Sequence, residues 1–496
     1  MGRQQEDHFV ESYVAAMDSK DEARAALIKQ RLHALHMSSK QRALGEEAER
    51  TIKNAASKIY YTGTDIRDAT KATARTLSTE IVMVDLAVGL GGALISMDAS
   101  VKRMNASGTP TTLRVAHASD WEKEKTSLYS ASAAALGVPV NVCVADVRDE
   151  KYFTTKLIKS WGGARGIVDT ACACIPCETV SSCGDGDGLA AVEDYIVGLF
   201  RIIAICRPLQ FFLECVERIE SDVDFKRLII DPLEKLGYFL IHGKRDGHNY
   251  GSVRRSRWYL MATLNIDEFN LINTLPPPPD RRDTELAFAK ILLAPAPPRR
   301  TSIIAVVPNE LKVLRGRALV SRETAPLWAY LPTQRLLTKA ERAIKERFSA
   351  PADGTKSGIV NFQFKRVNEV KGYLAPTITA TESSDWYYHD AYGIRLVTAL
   401  EVGLSHGYPI SVIQALLAAA RFIVISKQVR NKRILKGCVD SQADNIVRRA
   451  IGDGFVLAVV TDILFRMIRA RTYSRARDVV LRNTTATRPT KRARLE

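Results

Sequence analysis

Acidic residues are in short supply: 55 Asp and Glu stand against 71 Lys and Arg, a formal charge of +16 over 496 residues. A deficit of that size points to a polyanionic partner, either nucleic acid or an anionic membrane. The sequence also lacks any run of about 18 uncharged apolar residues, so no transmembrane helix is expected and nucleic acid becomes the leading partner. Met1 to Asp18 carries Glu6, Asp7, Glu11 and Asp18 without an apolar core, and no secretory leader is expected there. Cysteines do not form two C-x-x-C pairs: Cys172, Cys174, Cys177 and Cys183 are unevenly spaced, with no histidine close by. That spacing argues against structural zinc, and the scattered remainder against a disulfide framework. It suits a reducing compartment, where cysteine serves as nucleophile or core filler. No internal repeat is found. What remains is ordinary for globular chains, 46% hydrophobic and 25% charged, with length for roughly two to four domains.

Residues 8 to 60 read as charged helix. At Ile81 the texture changes: Ile81 to Leu86 is a short apolar run containing Asp85, followed by Gly89, Gly91 and Gly92. A strand running into a glycine-rich turn is expected. Further short strands are expected at Val140–Val144, Gly166–Val168 and Phe211–Leu213, with helices at Trp121–Leu136 and Leu189–Ile205 between them. Such alternation predicts a parallel α/β sheet. Beyond Leu264, Pro276–Pro279 and the segment Pro295–Arg300 mark linkers or rigid loops, and a separate module reaches to about Asp390. A helical portion follows. Its end, Phe465 to Glu496, holds ten basic residues against Asp478 and Glu496, half the surplus of the whole chain.

Several residues carry chemistry. The glycines of Asp85-Leu86-Ala87-Val88-Gly89-Leu90-Gly91-Gly92 let backbone approach a nucleoside cofactor closely, although a plain tight turn would read the same in isolation. Asp120, beside Trp121, falls where a second strand would end, the place for a carboxylate on ribose hydroxyls; Asp146 follows the third strand and could accept from an adenine amino group. Surface acids at strand ends are the alternative. Cys177, next to Pro176 in a loop after a strand, sits where nucleophiles collect in such sheets. Cys172 and Cys174 read as packing cysteines. Glu214 ends the apolar run Phe211-Phe212-Leu213 and can hold or donate a proton, unless it belongs to a buried structural ion pair. Arg255 and Arg257, two apart on entering a strand, share one face, as catalytic cations or as a solvated basic edge.

In this order the motifs resemble those of the cytosine-5 DNA methyltransferase family. Asp85 to Gly92 looks like the family's DLFAGxGG loop, and Ser119-Asp120-Trp121-Glu122 like its second motif. Pro176-Cys177 with Ser181 and Gly184 fits PCxxxSxxG. Glu214-Cys215-Val216 stands for ENV, and Arg255-Ser256-Arg257 for RxR. Arg395 to Glu401, continuing to Gly407-Tyr408-Pro409, is similar to RxLTxxE…GFP, and Gly452-Asp453-Gly454 occupies the place of the GNxV turn. The likeness covers about 79–262 and 393–465.

The resemblance implies a Rossmann-like S-adenosylmethionine-dependent methyltransferase sheet with an inserted target-recognition domain. It divides the chain into an N-terminal charged helical region (1–78), a catalytic core (79–262), a recognition domain (263–392), a C-terminal part completing the core (393–476) and a basic tail (477–496). It assigns cofactor binding to Asp85, Leu86, Gly89, Leu90, Gly91, Gly92, Asp120, Trp121, Asp146, Val147, Pro176 and Asp453, and catalysis to Cys177, Glu214, Arg255 and Arg257, with no metal. DNA is the implied partner. Arg299, Arg300, Arg315, Arg317, Lys365 and Arg366 could meet phosphates or guanine edges, and Lys491-Arg492-Ala493-Arg494 reads as a nuclear localisation signal or a nucleic-acid arm. The family's Phe is Ala87 here, its Gln after the cysteine is Glu178, a second Phe is Val180, the eighth motif lacks its Gln, and the last Asn is Asp453. The same chemistry on RNA, and a DNA-binding relative with weakened catalysis, are the competing expectations.

Overall fold

A computed structural model describes residues 79–175, 190–250, 253, 255–274, 358–363, 366–369, 386–389, 394–431 and 439–486. Residues 8–60, the proline-rich segments, the Pro176–Gly184 loop, Arg299, Arg300, Arg315, Arg317, Lys365 and the stretch 487–496 lie outside them.

The first part alternates strand and helix as expected: β1 (Thr79–Leu86), α1 (Gly92–Ala106), β2 (Thr111–Asp120), α2 (Lys123–Leu136), β3 (Val142–Val144), α3 (Thr155–Ser160), β4 (Thr170–Cys174), α4 (Ala190–Cys206), β5 (Gln210–Val216), α5 (Val223–Lys235), β6 (Phe239–Asp246), β7 (Ser256–Thr263) and α6 (Ile266–Thr274). These strands form one sheet in the order β3-β2-β1-β4-β5-β7-β6. From β3 to β5 every neighbour is parallel; β7 runs antiparallel to both β5 and β6. The strand order reverses at β1, which lies between β2 and β4, and such switch points open a crevice at the carboxyl ends of the strands. A second, four-stranded antiparallel sheet has the order β11-β10-β8-β9, from β8 (Gly358–Gln363), β9 (Arg366–Glu369), β10 (Trp386–His389) and β11 (Ile394–Leu396). Four helices follow: α7 (Ala399–Ser405), α8 (Ile410–Asn431), α9 (Val439–Asp453) and α10 (Leu457–Ala486).

Central parallel strands are covered on both sides, which is why they read as unbroken apolar runs. Side chains alternate between the two faces. Ile81, Met83, Cys172 and Phe212 join one core with α1 and the C-terminal helices. Val82, Val84, Ala171, Phe211 and Leu213 join another with α4. The C-terminal part therefore completes the first core. Ser100 Oγ on α1 donates to the Thr461 carbonyl of α10 at 3.2 Å, and Phe455 meets Phe212 edge to face with centroids 6.2 Å apart.

One expectation shifts. The strand expected at Gly166–Val168 begins at Thr170: Gly166 has φ +63° and closes a short 3-10 turn, and Asp169 is buried in a polar clasp. There the Val82 amide donates to Asp169 Oδ2 at 2.9 Å while the Arg475 guanidinium grips Oδ1. Arg471 joins Asp169 to Glu268, and Gln210 bridges Glu268 and the Met467 carbonyl. The clasp sits at the amino ends of β4 and β5, away from the crevice, and pins α6 and α10 to the sheet. Packing of the core thus continues past residue 262 through α6, whose Ile272 belongs to the first core. Strand β11 pairs within the small sheet as far as Leu396, and α10 runs through 477 to Ala486 as one helix. Helix α8 is, among the described residues, the one helix long and apolar enough to cross a membrane, but Val412, Ile413, Leu416 and Ala420 are buried in the first core.

Candidate active site

Both halves of the site form at the carboxyl edge of the large sheet. In the first half, β1 ends at Leu86 and the chain turns through Ala87, Gly89 and Gly91, all with positive φ (57°, 54° and 95°), before α1 begins. Gly89 has open space where a side chain would stand, whereas a Cβ on Gly92 would come within 2.4 Å of the Phe455 ring. Glycine at 92 is thus what lets the C-terminal part close over the turn. Leu90 is buried, and its carbonyl accepts from Ser132 Oγ at 2.7 Å.

Asp120 ends β2 and fastens this turn: its Oδ2 accepts from the Gly89 amide at 3.0 Å and its Oδ1 from the Glu122 amide at 2.9 Å. Burial pushes its carboxyl up, and those two hydrogen bonds pull it back. Asp85 is buried deeper; burial drives its carboxyl well above the usual range, opposed by the Tyr129 hydroxyl and reinforced by Asp120. Trp121 stands 56% exposed beside them. Lys125, on the first turn of α2, is discouraged from carrying charge by burial, but Glu122, Asp453 and Asp120 outweigh this and hold it protonated. Asp453 is the last residue of α9, and its charge bears on Lys125. After β3, Asp146 is held below the usual carboxylate range by Arg148, whose guanidinium donates to both of its oxygens (Nε–Oδ1 2.9 Å). Val147 beside it is buried, with its carbonyl facing Gly198 of α4 so closely that a Cβ there would lie 2.8 Å away.

The second half lies on β4, β5 and β7. Glu214 is buried, and its Oε1 is 3.1 Å from Arg257 Nε across the β5–β7 pair. Arg255 is buried beneath. Its charge, with that of Arg257, bears on Tyr259 and on His406. His406, at the end of α7, is held neutral mainly by burial and then by Arg255, its imidazole lowered to about 3. Its carbonyl accepts from the Leu457 amide at 2.9 Å, joining the arginine face to the C-terminal return. Tyr408 is pushed up by burial in the same cluster.

One residue read as packing does more. Cys174 is only partly buried and is the direct register partner of Glu214 on the neighbouring strand. Its thiol donates to Glu214 Oε2 at 3.0 Å, and Tyr195 of α4 donates to its carbonyl at 2.9 Å. Nothing in the local sequence announces this, because the contact depends on strand order. Cys172, by contrast, is buried in the core beside Asp85, its register partner on β1. Of the residues assigned to the cofactor and to catalysis, Pro176 and Cys177 lie outside the described residues.

Comparisons with known proteins bear on this geometry. No curated protein matches the chain. Among solved structures it is similar to the S. pombe Dnmt2 methyltransferase (14% identity, TM-score 0.45, 79% of this chain and 99% of that one). It is similar also to the Entamoeba histolytica methyltransferase EhMeth (14%, 0.45, 79% and 98%). A third is a prophage-encoded DNA modification methyltransferase from E. coli (14%, 0.43, 79% and 99%). The family assignment rests on firmer ground, since the model for C-5 cytosine-specific DNA methylases matches residues 81–427. That span runs from β1 into α8 and takes in both halves of the crevice, and the protein belongs to the C-5 cytosine-specific DNA methylase family, whose methyl donor is S-adenosylmethionine.

Proposed function

We propose that the protein methylates carbon 5 of cytosine in DNA, with Cys177 as nucleophile and Glu214 as the acid acting on the base. The carrying observation is the setting of Glu214: a buried carboxylate at the sheet edge, bracketed by Arg257, on the strand beside the one leading into Pro176-Cys177. The open left-handed turn at Gly89 and the exposed ring of Trp121 fit a nucleoside cofactor. Asp85 to Gly92, Asp120, Trp121, Asp146, Val147 and Asp453 would hold it, and it supplies a methyl group activated on a sulfonium.

The protein's own residues do the rest. Cytosine carbon 5 is a poor nucleophile. Addition of the Cys177 thiolate at carbon 6 makes carbon 5 enamine-like, and a proton from Glu214 at ring nitrogen 3 stabilises the adduct. Arg257 holds that carboxyl in place. After methylation a base takes the proton from carbon 5 and the thiol leaves by β-elimination. The target cytosine must leave the stack to reach this edge. DNA as substrate is supported by the family and by the charge of +16. We place the protein in the nucleus on the basic stretch Lys491 to Arg494, which a fluorescent fusion with and without that stretch tests.

The deciding experiment incubates labelled S-adenosylmethionine with matched DNA and RNA duplexes, comparing wild type and Cys177→Ala. Label in DNA for wild type, and none for the variant, is expected. Label in RNA alone reassigns the substrate. Binding of DNA and cofactor with no label in either makes the chain a non-catalytic relative, the outcome that Ala87, Glu178 and Asp453 motivate.

A further inference from the structure

We infer that Cys174 is a positioning residue for the reaction: its thiol fixes the second oxygen of Glu214, so that the carboxyl is held from both sides, by a cation on β7 and by a thiol on β4. The inference deepens the function proposed above and rests on it. Three observations carry it. Cys174 and Glu214 are register partners on adjacent parallel strands, so their side chains leave the sheet together on one face. The two carboxylate oxygens have different partners, Oε1 with Arg257 Nε at 3.1 Å and Oε2 with Cys174 Sγ at 3.0 Å. Cys174 is itself anchored, since the Tyr195 hydroxyl donates to its carbonyl at 2.9 Å.

A carboxyl that must meet one ring nitrogen has to be fixed in rotation as well as position. A single arginine contact leaves the plane of the group free to turn, and a second donor on the other oxygen removes that freedom. A thiol is a weak donor, and that weakness is useful here, because it orients the carboxylate yet yields when the oxygen turns to the base. Tyr259 on β7 is the register partner of Glu214 on its other side, and the Glu214 charge also bears on Tyr408 after α7.

Methyl transfer to DNA is measured for wild type, Cys174→Ala, Cys174→Ser and Cys177→Ala, with thermal unfolding and the KM for S-adenosylmethionine as checks. Cys174→Ala is expected to lower kcat about tenfold, the size of one hydrogen bond to a charged group, with that KM unchanged. Serine keeps a donor in place and is expected to restore kcat to within about threefold. Alanine equal to wild type, serine as poor as alanine, or a loss that falls on KM instead of kcat each overturns the inference while leaving the proposed function standing. Transfer by Cys177→Ala, or none by wild type, overturns the function itself and the inference with it.

Discussion

The half of the crevice proposed to hold the cofactor and the half proposed to take the base lie on one sheet edge yet are built in opposite ways. At the ends of β1 to β3, Asp120 takes two backbone amides, that of Gly89 in the turn after β1 and that of Glu122 two residues on, and Asp146 is held by Arg148 two residues on. At the ends of β4 and β5, Glu214 is held by side chains from other strands, Arg257 and Cys174. Backbone amides cannot be mutated away, and a local ion pair costs little to rearrange. Side-chain partners from distant strands can be removed one at a time. The base half should therefore be the more fragile of the two, and the following substitutions test that asymmetry.

The largest effect is expected at Glu214. Glu214→Gln removes the proton donor but keeps the shape, and kcat should fall by roughly 10²- to 10⁴-fold with little change in cofactor affinity, read by steady-state kinetics and direct binding. Next comes the clasp at the far edge. Asp169→Ala strips Arg471, Arg475 and the Val82 amide of a buried partner, and should cost about 3–5 kcal/mol in denaturant unfolding. A loss under about 1 kcal/mol would show that α10 is not tied down there.

The third test concerns pH. Burial lowers His117 to about 4 from an ordinary 6.5, so the unfolded chain binds its proton first as pH falls, and stability is lost from about pH 6.5 down to about 4. Asp85 and Asp120, raised by burial, act in the opposite sense, adding stability that is lost as pH rises through their folded values. Comparison with His117→Phe, which keeps a ring to stack on Trp161, subtracts the carboxyl contribution. The variant should lose up to about 2 kcal/mol less than wild type between pH 7 and pH 5. Smallest of all, Arg148→Ala frees Asp146 from an exposed ion pair and should tighten S-adenosylmethionine binding by about two- to fivefold in calorimetry. Weaker binding would mean that Arg148 helps to hold the cofactor.

The same asymmetry explains what the sequence reveals. The glycine turn, Asp120 and Asp146 are legible because the physics that places them is local: a strand, a turn, an acid at a strand end. Glu214 and Arg257 are legible as types of residue, but their contact depends on β7 running antiparallel to β5, a pairing that no short pattern encodes. Cys174 is the extreme case. Flanked by Ala173 and Ile175 it looks like core filler, and only its register with Glu214 sets it apart. The strand misplaced at Gly166 fails for the same reason: Thr170-Ala171-Cys172-Ala173-Cys174 has small side chains and weak strand character, and becomes a strand because β1 and β5 flank it.

A thiol and a carboxyl are expected to act together on one cytosine ring. A DNA duplex carrying 5-fluorocytosine, which cannot release a proton from carbon 5, should trap the protein when S-adenosylmethionine is present. Wild type should give a covalent adduct that survives denaturing electrophoresis and maps to Cys177, and Cys177→Ala should give none. An adduct of equal yield from the Cys177→Ala protein would contradict the account.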